Sequence, residues 1–88
     1  MIKYKKIYLD HFGLGEQDFI LDEYEWLIND RYVRAVDVHH IEHGASKHDH
    51  IDNLMALSRT NHLKAHAEIF KRDYLKKVHL DFMHTNPY

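Results

Sequence analysis

The stretch "AVDVHHIEHGASKHDHIDNLMALSRTNHLKAH", Ala35 to His66, decides how this chain is read. Between Asp37 and Asn53 it holds five of the chain's ten histidines, His39, His40, His43, His48 and His50, and His62 and His66 close it. Its first residues, with the "YVR" before them, are rich in aromatic and β-branched side chains, the composition of a strand. The polar run from Glu42 to Asp52 reads as a loop, and "NLMAL", Asn53 to Leu57, as a second short strand or an extended entry segment. Ser58 is a good N-cap, since its hydroxyl can accept from a free N–H of the first turn, and it predicts a helix running to about Phe70.

Upstream, "FILDEYEWL" has the same aromatic and β-branched character as "YVRAVDVHH", and the polar "INDR" lies between them. That pattern predicts a β-hairpin pairing these two runs. Ile2 to Phe12 reads as a short amphipathic helix stopped by Gly13. A last helix is expected from Asp73, with Leu75, Val78 and Phe82 on one face, ended by Asn86-Pro87.

Eighty-eight residues make one domain, 1–88, with a modest core and a site at its edge. A composition 44% hydrophobic and 30% charged, with one proline and three glycines, suits a folded chain. No apolar run approaches the roughly 20 residues that span a bilayer, so no membrane partner is expected. "MIKYKKIYLDHF" lacks the apolar stretch and small-residue cleavage site of a secretory signal, which makes a cytoplasmic location the expectation. With no cysteine there is no disulfide framework and no thiolate zinc site. The net charge of −2 argues against a broad grip on a phosphate backbone, so any nucleic-acid contact has to rest on local chemistry.

His62 and His66 are four apart on the expected helix, so their rings project from one face and can share a metal ion. His39 and His43 repeat the spacing, so the pair alone is a weak signal. His39 and His40 are neighbours at a strand end and point to opposite faces. One can turn to a metal held by the helix while the other stays free to accept a proton, a task suited to an imidazole near neutral pH. Asn53 stands where the loop returns to the fold, and both ends of its amide can bond backbone groups across that loop.

Taken together, His-His at 39–40, Asn at 53 and His at 62 and 66 resemble the motif of the HNH endonucleases. "AVDVHHI", "NLMALSRTNH" and "HLKAH" are similar to its three blocks, in the same order, over roughly Ala35 to His66. The resemblance implies an α+β fold of the ββα-metal type: a β-hairpin and a metal-bearing helix around one divalent cation, flanked here by the N- and C-terminal helices. It implies His39, His62 and His66 as metal ligands, His40 as the general base activating a water, and Asn53 as the residue holding the strand end that carries His40. The activity implied is phosphodiester hydrolysis, with DNA as the expected substrate and partner.

The chemistry asks for these residue types. A nucleophile must be generated near neutral pH, which His40 can do by taking a water proton. Charge developing on phosphate must be neutralised, which a Lewis-acidic cation does, and three protein ligands leave coordination positions open. Three neutral imidazoles favour Mn²⁺, Ni²⁺, Co²⁺ or Zn²⁺, with Mg²⁺ allowed but poorer. Arg59 and Lys64 flank His62 near the start of the expected helix and are the candidate phosphate contacts, aided by the free N–H groups of that helix end.

Many small proteins of this family also carry two CxxC pairs that bind a structural zinc. Here Ser58 and Asn61 stand where the second pair would fall and "DEYEWL" near the first, and packing by Tyr24, Trp26, Leu27 and Tyr32 is expected in place of that metal. Two other functions compete with the nuclease: a catalytically inactive ββα-metal module that binds DNA or protein, and a histidine-rich metal binder unconnected with nucleic acid. A potential base beside a ligand favours the enzyme over both.

Overall fold

A computed structural model describes residues 2–85 and 87–88. Among them the chain forms an α+β fold of four α-helices and a two-stranded antiparallel sheet. The helices are α1 (Lys3–Phe12), α2 (Glu23–Asn29), α3 (Arg59–His66) and α4 (Arg72–Met83), and the strands β1 (Asp37–His40) and β2 (Leu54–Leu57). β1 and β2 pair with His39 opposite Met55 and His40 opposite Leu54. Single 3₁₀ turns at Gly44–Ser46 and Ile51–Asn53 shape the loop between them.

The hairpin expected between "FILDEYEWL" and "YVRAVDVHH" is not the one that forms. Glu23 to Asn29 is helical, and only an isolated bridge from Leu21 to Arg34 links the two runs. Local chemistry explains the difference. The Asp22 carboxylate accepts from Glu25 N–H at 2.8 Å, and Glu23 and Glu25 place negative charge at the helix start. The "INDR" segment is the helix end, with Asp30 in the left-handed region at φ 54°, a conformation that Asp tolerates better than most residues. The partner of the "DVHH" strand is therefore "LMAL", buried on both faces, which is why that run shows no alternation.

Period-two geometry then splits the core. Val38, Leu54 and Ala56 face Tyr8 and Leu9 of α1, while Ile41, Met55 and Leu57 face Ala65 of α3 and Leu75 and Val78 of α4. The sheet lies between helices on both sides. α1 begins and ends where expected, with Gly13 at φ 68° closing it. α4 buries Leu75, Val78 and Phe82, as its spacing predicts, and ends at Met83; the expected stop at Asn86 lies outside the described residues. α3 stops at His66, earlier than Phe70, where Glu68 takes φ 58°.

Two buried polar networks tie α2 to the rest. Asp22 Oδ2 accepts from Ser58 N–H at 2.7 Å and from Asn61 Nδ2 at 2.9 Å, and the same amide donates to Glu25 Oε2 at 2.9 Å. The i, i+3 pairs Asp22/Glu25 and Ser58/Asn61 thus meet at one point. The packing expected of Tyr24, Trp26, Leu27 and Tyr32 forms in part, beside this polar clamp: Tyr24 and Leu27 pack against the core and Trp26 against Phe82, but Tyr32 is 80% exposed. In the second network Glu23 accepts from Tyr8 O–H, from Ala56 N–H at 3.1 Å and from His79 Nδ1 at 2.6 Å. The other His79 nitrogen donates to the Ile51 carbonyl at 2.6 Å. Burial raises the Glu23 carboxyl above its ordinary value, partly offset by His79. Burial opposes a charge on His79, yet Glu23 outweighs it and raises the imidazole above its ordinary 6.5. Among the described residues no buried side-chain polar atom lacks a hydrogen-bond partner, as a well-formed core requires. Among them, too, no helix is long and apolar enough to cross a membrane.

Candidate metal centre

His39 lies on the β1 face turned to α3, and His62 and His66 rise one turn apart from α3 toward it. One nitrogen from each of the three lies within 4.8 Å of the others. The ring centroids of His39 are 5.0 Å from His62 and 5.2 Å from His66. Asp37, two residues before His39 and so on the same face of the strand, accepts from His62 Nδ1–H at 2.9 Å. That bond leaves the His62 lone pair on Nε2, which meets His66 Nε2 at 3.0 Å. At that distance the two nitrogens can share a proton, His66 Nε2–H donating to His62 Nε2, and a bound cation can take that proton's place. The donor set fits a divalent transition metal: three imidazole nitrogens, one of them oriented by a carboxylate behind it.

Electrostatics point the same way. Burial and the neighbouring imidazoles of His62, His43 and His66 push the His39 pKa down to about 3, so its ring is neutral and available as a ligand. Partial burial works against the charge of Asp37, but hydrogen bonds from His62 and Arg59 outweigh it and hold its carboxyl below the ordinary value.

His40 points to the other face of β1, where its ring meets Tyr4 edge-on at 4.5 Å. Its Nε2 lies 2.7 Å from Asp49 Oδ1. The Asp49 carboxylate accepts from His40 Nε2–H, which leaves the basic lone pair on Nδ1. The same bond holds the Asp49 carboxyl below its ordinary value. Asn53, 2% exposed, bonds across the loop with both ends of its amide. Its oxygen accepts from Glu42 N–H at 2.7 Å, and its nitrogen donates to the carbonyls of His48 at 2.8 Å and Glu42 at 3.3 Å. Its backbone carbonyl accepts from Ile41 N–H at 3.0 Å, directly after His40.

Arg59 forms a two-pronged pair with Asp37 at 2.9 and 3.3 Å, and Lys64 sits over the Phe70 ring at 5.7 Å. A cleft of about 490 Å³ opens beside the imidazoles, and its cationic lining is Lys71 and Arg72, opposite His39, His43 and His66. The reading from sequence did not single out these two, nor Asp37, Asp49 or His43 as a neighbour of His39. Asp37 had a signal, its same-face position two residues before His39; Lys71, Arg72 and Asp49 reach the site only through the fold. No family model, curated protein or solved structure matches the chain.

Proposed function

We propose that this chain is a metal-dependent endonuclease of the HNH type, with its hairpin and α3 forming a ββα-metal core and DNA as its substrate. The observation that carries the reading is the convergence of His39, His62 and His66, with the His40–Asp49 pair one residue along the same strand. The three imidazoles would hold one divalent ion, with Mn²⁺, Ni²⁺, Co²⁺ or Zn²⁺ favoured over Mg²⁺. Bound there, the ion supplies Lewis-acid neutralisation of charge building on the phosphate.

The chain's own residues supply the rest. His40 Nδ1 accepts a proton as a water oxygen attacks phosphorus, and the P–O bond to the leaving oxygen breaks. Asp49 keeps the ring in the tautomer with Nδ1 free. Asn53 holds the strand end on which His40 sits. Arg72 and Lys71 line the cleft as phosphate contacts, while Arg59 and Lys64 flank His62 on α3; at net charge −2 only a few such cations bear on substrate.

The alternative, a ββα-metal module that binds without cutting, draws on a different observation. His40 is 8% exposed, with Tyr4 edge-on against its ring, so little of it faces water. Nicking of supercoiled plasmid by purified protein, with and without chelator, separates the two. The nuclease reading expects cleavage that chelator abolishes, metal affinity retained but cleavage reduced about 10²–10⁴-fold in His40→Ala, and both lost in His66→Ala. Equal plasmid integrity with wild type and His40→Ala in every metal leaves the binding module standing.

A further inference from the structure

Away from the imidazole cluster, the loop joining β1 to β2 carries a second set of donors. His48, His50 and Asp52 each offer one nitrogen or oxygen within 4.8 Å of the others. The two rings are 4.9 Å apart and nearly perpendicular at 80°, the edge of one turned toward the other. His48 Nδ1 accepts the backbone N–H of His50 at 3.3 Å, which puts the ring's lone pair on that nitrogen. The same nitrogen stands 3.9 Å from Asp52 Oδ1. Two lone-pair atoms at this separation can both reach one ion at the roughly 2.0–2.2 Å typical of zinc ligands. The N–H···N bond that would be exchanged is long and correspondingly weak.

The loop is already held in the shape such a site needs. Asn53 N–H donates to the His50 carbonyl at 2.9 Å and Asn53 Nδ2 to the His48 carbonyl at 2.8 Å. The 3₁₀ turn Ile51–Asn53 then places Asp52 beside His48. Backbone order supplied by the fold lowers the entropy cost of ligation.

We propose that His48, His50 and Asp52 form a second divalent-metal site, separate from His39, His62 and His66, with zinc the matching ion. Two borderline imidazole nitrogens with one carboxylate oxygen suit zinc better than magnesium or calcium, which prefer all-oxygen sites. Asp49 lies between the two histidines and bonds His40, so an ion on its neighbours stiffens the segment that holds His40 in place. The site stands or falls independently of DNA cleavage.

Calorimetric titration of metal-stripped, full-length protein with Zn²⁺ tests it, using wild type, His48→Ala/His50→Ala and His39→Ala/His66→Ala, with circular dichroism to establish that each is folded. Wild type is expected to take up two equivalents and each double variant one, a different one in each case. A single wild-type equivalent that disappears in the loop variant and survives in His39→Ala/His66→Ala supports the loop site and removes the other. Wild-type stoichiometry unchanged in His48→Ala/His50→Ala overturns the proposal and leaves the three-histidine centre untouched.

Discussion

Replacing Asn53 with alanine removes three side-chain hydrogen bonds that close the loop between β1 and β2. Two are short, at 2.7 Å from Glu42 N–H and 2.8 Å to the His48 carbonyl; the third, at 3.3 Å to the Glu42 carbonyl, is weaker. Each short bond is worth about 1 kcal/mol net, and a backbone group left unpaired adds a desolvation cost that water entering the open side of the loop reduces. The expected loss is about 2–3 kcal/mol, a fall in Tm of about 8–24 °C for a domain of this size. Asn53→Asp is the sharper variant. It keeps the oxygen that accepts from Glu42 N–H but sets a carboxylate oxygen against the His48 and Glu42 carbonyls, so it should lose at least as much. Thermal unfolding measures both, and amide exchange of Glu42 and Ile41 reports the loop directly, since Ile41 N–H bonds the Asn53 carbonyl. A Tm within about 2 °C of wild type in Asn53→Ala, with the Glu42 amide still protected, would refute the idea that this amide holds the loop.

Other outcomes follow from the same geometry. Asp37→Asn should weaken binding of the ion at His39, His62 and His66 by about 10–100-fold with the fold intact, read by competition with a chromogenic chelator; unchanged affinity would mean that Asp37 does not orient His62. Cysteine at Asp22, Glu25, Ser58 and Asn61 together should create a tetrathiolate zinc site, seen as an added zinc equivalent and the charge-transfer bands of its cobalt form, because these four positions already meet. Since the folded His79 value lies above its ordinary 6.5 and the Glu23 value above its ordinary 4.5, the folded state binds protons more readily than the unfolded one, so stability should decline as pH rises, from about 4.5 through Glu23 and from about 6.5 through His79. Glu23→Gln should flatten that decline in a series of denaturant melts, and a decline of undiminished slope would show that it arises elsewhere.

What the sequence determined by itself is what local chemistry carries. α1 and its glycine stop, the Ser58 cap of α3 and the buried face of α4 are legible because each depends on residues within a few positions of one another. So is the amide of Asn53 bridging its loop, and so is the shared face of His62 and His66, which the helical period dictates. Even α2 had its signal, an Asp22 cap with Glu25 three residues on, which aromatic content overrode in the reading of that segment as a strand. Strand pairing lay beyond this reach. An aromatic run and an apolar run are equally good partners for "DVHH" on propensity, and burial on both faces selects "LMAL", a fact about the helices above and below it. The meeting of Asp22 with Asn61, of Asp49 with His40, and of Lys71 and Arg72 with the imidazoles is likewise tertiary. These contacts join segments whose separation along the chain leaves no periodicity to read, and the packing of α2, α3 and α4 around one small sheet brings them together.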